Sequence, residues 1–202
     1  LPAYAGTPGA PNSRAVLNAG PAITEVRHLP VLPAAHQPFR VTARVADPDG
    51  IDTVILHYRL DPATTTQSLT MVDDGTGPDE LSADGIYTAL VPGQPSGTLV
   101  AFWVQATDTA EPGASGRFPA DAPIREALAR VGETIVSGAF GNYRLWLTKS
   151  NHDDWAGREK MSNEDVPATF VYGHHRAYYH AGVRYSGSSY TSPGYTSPTG
   201  NL

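Results

Sequence analysis

From Phe39 onward the chain alternates apolar and polar residues with a period of two. The stretch "FRVTARVAD" sets Phe39, Val41, Ala43 and Val45 against Arg40, Thr42 and Arg44, the pattern of a strand with one face in a core. "DTVILHYRL" repeats it, with Val54, Leu56 and Tyr58 opposite Ile55, His57 and Arg59. "SLTMVD", "GIYTALVP" and "TLVAFWVQATD" predict three further strands. "DPDG" at 47–50 and "PGQPSG" between the last two are turn sequences, because proline presets φ and glycine admits a positive one. Short strands at this spacing predict an antiparallel immunoglobulin-like or fibronectin type III-like β-sandwich over residues 22–110.

After Ala110 the pattern changes. "EPGASGRFPADAP" predicts a connector, and "DAPIREALARVGE" an amphipathic helix with Ile124, Ala127, Leu128 and Val131 on one face. Asp121 would cap it, Pro123 would sit in its first turn and Gly132 would close it. "NYRLWLTKS" predicts a strand, and Ser150-x-x-Asp153 has the spacing of a capping box opening a short helix. "ATFVYGHHRAYYHAGVRYSG" predicts a hairpin about Gly173-His174-His175. Residues 1–21 lack either period and are rich in Pro, Gly, Ala and Asn, as a linker is. The expected fold class is mainly β: a sandwich at 22–110, a connector at 111–141, and an incomplete α+β segment at 142–202.

Composition narrows the function. The chain has 202 residues, 20 glycines, 18 prolines and a formal net charge of −6, without any run of basic residues. That excludes a nucleic-acid backbone as the main partner. It has no cysteine, so disulfides and thiolate metal sites are excluded. No stretch reaches the ~18 apolar residues of a membrane span, and membrane insertion is not expected. The start, "LPAYAGTPGAPNSRAV", lacks the charged and apolar regions of a signal peptide. The chain reads as an internal piece of a larger protein, and a monomer.

Strand direction gives the acidic residues an arrangement. Reversal at each turn should bring the 47–50 turn, the 73–85 loop and Asp108 to one end of the sandwich. Asp47, Asp49, Asp73, Asp74, Asp79, Glu80, Asp84 and Asp108 would then form an acidic pole. Several hard oxygen ligands beside glycine-bearing loops suit Ca²⁺, which would rigidify the module. Aspartates in turns also serve as local caps, and both readings stand at this point. The histidines His152, His174, His175 and His180 match no zinc spacing. Trp103, Trp146 and Trp155 read as core.

The C-terminal 60 residues carry a more specific pattern. The strand containing "WLT", Trp155 followed by Arg158, "SNED", "ATFVYG" and the closing "AGVRYSGSSY" occur in order from Asn142 to the end. This run resembles the N-terminal part of the CotH family, the spore-coat-type atypical protein kinases. "GTPGAPNS" near the start is similar to the exit of a lamin-tail-type domain. The CotH resemblance implies a kinase-like fold that moves the γ-phosphate of Mg-ATP onto protein hydroxyls. It places Gly182, Arg184, Gly187 and Ser188 on a Gly-rich hairpin over the phosphates. Glycine allows close backbone approach, and Arg184 offers charge to a phosphate oxygen; a structural ion pair is the alternative for that arginine.

Phosphoryl transfer also needs a phosphate-binding lysine and acidic residues for catalysis and metal binding. No Lys, Asp or Glu follows Ser189, so this chain alone is expected to be inactive. The resemblance implies a secreted or cell-surface bacterial protein acting on protein substrates or cell-surface components, with the sandwich as spacer or interaction module. A non-enzymatic adhesion, coat or carbohydrate-binding protein is the alternative, the Arg/Tyr alternation at 176–190 being suited to stacking on sugars. Residues 111–202 are expected to be unstable alone, through uncovered strand edges.

Overall fold

The computed structural model describes residues 9, 16–136, 138, 141–158 and 162–184. It is mainly β and wholly antiparallel, with two sheets packed as a sandwich and a third sheet against them. Strands β1 (Ala22–Leu29), β2 (Phe39–Ala46) and β5 (Ile86–Val91) form the first sheet in the order β1-β2-β5. Strands β3 (Ile51–Asp61), β4 (Gln67–Thr70), β6 (Leu99–Asp108) and β7 (Ser115–Phe118) form the second, ordered β4-β3-β6-β7. A further strand, β8 (Ala127–Arg130), also pairs with β6. The third sheet joins β9 (Tyr143–Trp146), β10 (Val166–Tyr172) and β11 (Arg176–Val183), with β10 central. Helix α1 (Lys149–Gly157) lies between β9 and β10.

Alternation becomes burial as expected. Phe39, Val41, Ala43 and Val45 of β2 and Val54, Leu56 and Tyr58 of β3 are buried in one cluster. Sequence order and register agree with the hydrophobic pattern, as they must where one face is buried: a slip of one residue would turn every apolar side chain outward.

Strand β6 is the spine of the molecule because it is used on both faces. Val100, Phe102, Val104 and Ala106 point into the sandwich. Leu99 and Ala101 point the other way, into a second core made with Leu128, Trp146 and Val171. The sandwich and the third sheet therefore share a strand's two surfaces. Leu128 N–H donates to Thr169 Oγ1 at 3.1 Å inside the seam.

A buried polar contact crosses the same seam. Tyr179, on β11, reaches Phe102 and Phe118 at centroid distances of 5.6 and 6.1 Å. Its hydroxyl lies 2.5 Å from His28 Nδ1 and accepts from the His28 backbone N–H at 3.0 Å. His28 Nε2 is 3.0 Å from Val31 O. A carbonyl can only accept, so Nε2 carries the proton and Nδ1 accepts from the tyrosine. His28 is thus neutral and fully paired. Burial among Phe39, Phe102 and Trp146 lowers its pKa to about 4 and raises that of Tyr179.

The predicted helix over 121–132 is not formed. Residues 127–130 are instead β8, with Ala127, Leu128 and Ala129 all buried. One face meets the sandwich and the other the third sheet, so Ala127, Leu128 and Ala129 are all apolar, with only Arg130 exposed at the end, and a helical stripe can be traced through them by accident. Ile124, expected on the helix's inner face, is 83% exposed. Gly132 closes no helix: its φ is +80° and an added Cβ would collide with Ser96. The sheet also continues beyond residue 110, since β7 and β8 both belong to it. At α1 the N-cap is Thr148, whose hydroxyl accepts from Asn151 N–H; Lys149, rather than a cap at Ser150, pairs with Asp153. Trp146 and Trp155 are core, as expected, but Trp103 lies on the outer face of β6, stacked on His57 at 5.0 Å.

His28 makes stability depend on pH. The unfolded histidine takes up its proton near pH 6.5, the buried one only near pH 4, so the full contribution is present above 6.5 and is lost as pH falls towards 4. The expected loss across that window is about 3 kcal/mol. Denaturant titrations at pH 7 and pH 4.5 measure it. A His28→Gln variant should show a much flatter dependence over the same range.

Candidate functional site

The turn at 47–50 and the end of β6 meet as strand direction requires. Ile51 is in register with Asp108, and Thr109 N–H donates to Gly50 O at 3.3 Å. Residues 84 and 85 arrive at the same end, through Val45 N–H to Gly85 O at 2.9 Å and Arg44 Nη1 to Asp84 O at 3.2 Å. The middle of the 73–85 loop does not stay there. It folds back over the outer face of the β1-β2-β5 sheet, where Glu80 pairs with Arg40 and Asp79 accepts from Thr88 Oγ1.

Most of these carboxylates are occupied by the backbone of their own loops. Asp73 accepts from Asp84 N–H at 3.1 Å and Gly85 N–H at 2.9 Å. Asp74 accepts from Thr76 N–H and Oγ1, which hold its pKa below the usual range. Asp79, buried, accepts from Gly75 N–H at 2.7 Å. Asp84 receives Ile86 N–H, and Asp47 receives Asp49 N–H. Asp108, also buried, receives Ala114 and Ala110 N–H groups; the Ala114 bond is the main cause of its lowered pKa. Asp49 is held through its carbonyl, by the Thr109 hydroxyl. Among the described residues no three acidic or imidazole side chains converge as metal ligands. The arrangement caps loop backbone, which unpaired would be costly where buried.

The hairpin residues divide. Gly182 pairs with Pro167 on β10, and a Cβ there would press on the Asp165 side chain at 2.9 Å. Arg184 donates to Asn163 O at 3.1 Å and lies 3.9 Å from Asp165. Its guanidinium already joins the two arms of the hairpin's open end. Gly187 and Ser188 lie outside the described residues. His174 and His175 contact each other at 4.0 Å, whereas His180 packs on Phe118 and His152 lies beside Asp153.

A third place was not anticipated from the sequence. A cleft of about 630 Å³ lies between the outer face of the sandwich and the start of α1, lined by Trp103, Arg59, Asp61, Glu126, Ser150 and Asn151 among others. Arg59 donates to both carboxylate oxygens of Glu126, at 2.7 and 2.5 Å, and to Asp61 at 3.0 Å. Asp61 in turn accepts the Lys149 backbone N–H at 2.7 Å, capping α1 from another element. Four separate chain segments build this cleft, so no local motif announces it.

No protein-family model matches this chain, and no curated protein matches it.

Asp73→Ala leaves two loop N–H groups without their acceptor and should cost about 2 kcal/mol in chemical denaturation. Calcium held at this pole would make the wild-type melting temperature several degrees higher in millimolar calcium than in chelator; an unchanged melt leaves the carboxylates as loop caps alone.

Proposed function

We propose that this chain is the rigid lead-in of a secreted or cell-surface modular protein. In this reading a fibronectin type III-like or immunoglobulin-like sandwich positions the beginning of a CotH-like kinase segment. The observation that carries it is the shared use of β6: its outer face packs on Trp146 and Val171 of the third sheet, and Tyr179 enters the sandwich beside His28. A flexible tether would need neither contact. The split of strands into β1-β2-β5 and β4-β3-β6-β7, with connections crossing between sheets, supports the sandwich assignment. The kinase assignment rests on the ordered motifs from Asn142 onward.

Phosphate transfer would then belong to a longer chain that supplies the lysine and the acidic residues. Mg-ATP is its cofactor and a protein hydroxyl its acceptor. A non-enzymatic adhesion or coat role is the second reading. The observation favouring it is the exposed aromatic face of the third sheet, where Tyr143, Tyr172 and Tyr178 are 62%, 42% and 45% exposed.

Intact-mass spectrometry after incubation with Mg-ATP separates the two. This 202-residue chain is set beside the same chain extended at its C-terminus, each with a mixed protein acceptor. The expected result is phosphate gained only in reactions with the extended chain. Absence of transfer there would favour adhesion.

A further inference from the structure

We propose that the Trp103 cleft binds an uncharged oligosaccharide of two or three sugar units. The third sheet covers the outer face of β6 at Leu99 and Ala101 and stops there. Trp103 is the next outward residue, so a large aromatic side chain is left lining the cleft rather than packed beneath the sheet. His57 stacks behind the indole with an interplanar angle of 17° and does not line the cleft. It holds the ring in place from the side away from a ligand. A backed indole is a preorganised apolar surface, which suits the C–H face of a pyranose ring.

The polar lining selects against charge. Arg59 spends four of its five N–H donors on Glu126, Asp61 and the Ala63 carbonyl. Lys149 Nζ is paired with Asp153 at 2.5 Å. A phosphate or carboxylate seeking the Arg59 guanidinium, or an ammonium seeking Glu126 or Asp61, would have to break that largely buried pairing. The hydroxyls of Thr64, Thr66 and Ser150 in the cleft have no partner among the described residues. Asn151 uses its amide N–H on Pro167 O, leaving its side-chain oxygen able to accept. Hydroxyls and an amide oxygen match the donor-and-acceptor character of sugar hydroxyls. The volume, about 630 Å³, falls within the range of small-ligand sites.

The site is independent of whether a longer chain transfers phosphate. Its test uses ¹H–¹⁵N spectra of this chain titrated with cellotriose, maltotriose and triacetylchitotriose, with glucose 6-phosphate and ATP as charged controls. The indole N–H resonance of Trp103 reports on the cleft, and those of the buried Trp146 and Trp155 serve as internal references. The expected result is that at least one neutral trisaccharide moves the Trp103 resonance with a Kd of about 1 mM or tighter, and that neither charged control does. Trp103→Ala should weaken binding at least about tenfold. Ser150→Trp, at an exposed position on the cleft's edge, should abolish it by filling the space while leaving the melting temperature unchanged. The proposal is overturned by no Trp103 shift with any of the three sugars, by tighter binding of a charged control, or by unchanged affinity in both variants.

Discussion

Tyr179 and His28 are far apart in sequence, yet each removes the other's reason to be in water. A tyrosine hydroxyl and an imidazole buried singly among Phe39, Phe102 and Phe118 would each carry an unsatisfied polar group. Together they close a network in which His28 donates to Val31 O and accepts from Tyr179. The tyrosine can enter the sandwich only if β11 lies against it, and β11 is placed by its ladder with β10. The position of the whole third sheet follows from that one contact and from the apolar seam beside it.

The seam in turn explains why β6 carries two apolar faces over its first half and why β8 is apolar from Ala127 to Ala129. Ala127 and Ala129 meet the sandwich core, whereas Leu128 meets Trp146 and Val171. Small residues on one side and a leucine on the other let two layers pass close to a four-residue strand. Coverage ends at Ala101, and the cleft begins at Trp103. Arg59, Asp61 and Glu126 seal the junction with paired charge; their side chains are 15%, 8% and 9% exposed. Such a buried triad sets geometry more than it adds stability, because desolvation offsets much of the attraction.

Strands β2, β3 and β5 were legible in the sequence because each has one buried face and follows period two, as β6 does from Phe102 onward, and the hairpin at 166–183 follows its turn. The segment at 121–132 was not, since a strand buried on both sides has no polar face and its apolar residues fit a helical period equally well. Trp103 misled for a related reason: it sits within an apolar run, but where the neighbouring layer stops. The meeting of the acidic turns was readable from strand direction. That the 73–85 loop would fold back towards Arg40 was not, because it depends on the Arg40–Glu80 pair and on Asp79 reaching Thr88. The cleft was invisible, being assembled from residues 59–66, 103, 123–126 and 148–153.

Native-state hydrogen exchange tests the central claim, that sandwich and third sheet are one cooperative unit built on β6. The amides to follow are those of the β3–β6 ladder inside the sandwich and of the β9–β10 ladder outside it. One unit predicts that the slowest amides of both ladders exchange with the same free energy, equal to that of global unfolding. Exchange of the β9–β10 amides at a free energy several kcal/mol lower, with the sandwich still protected, would contradict it.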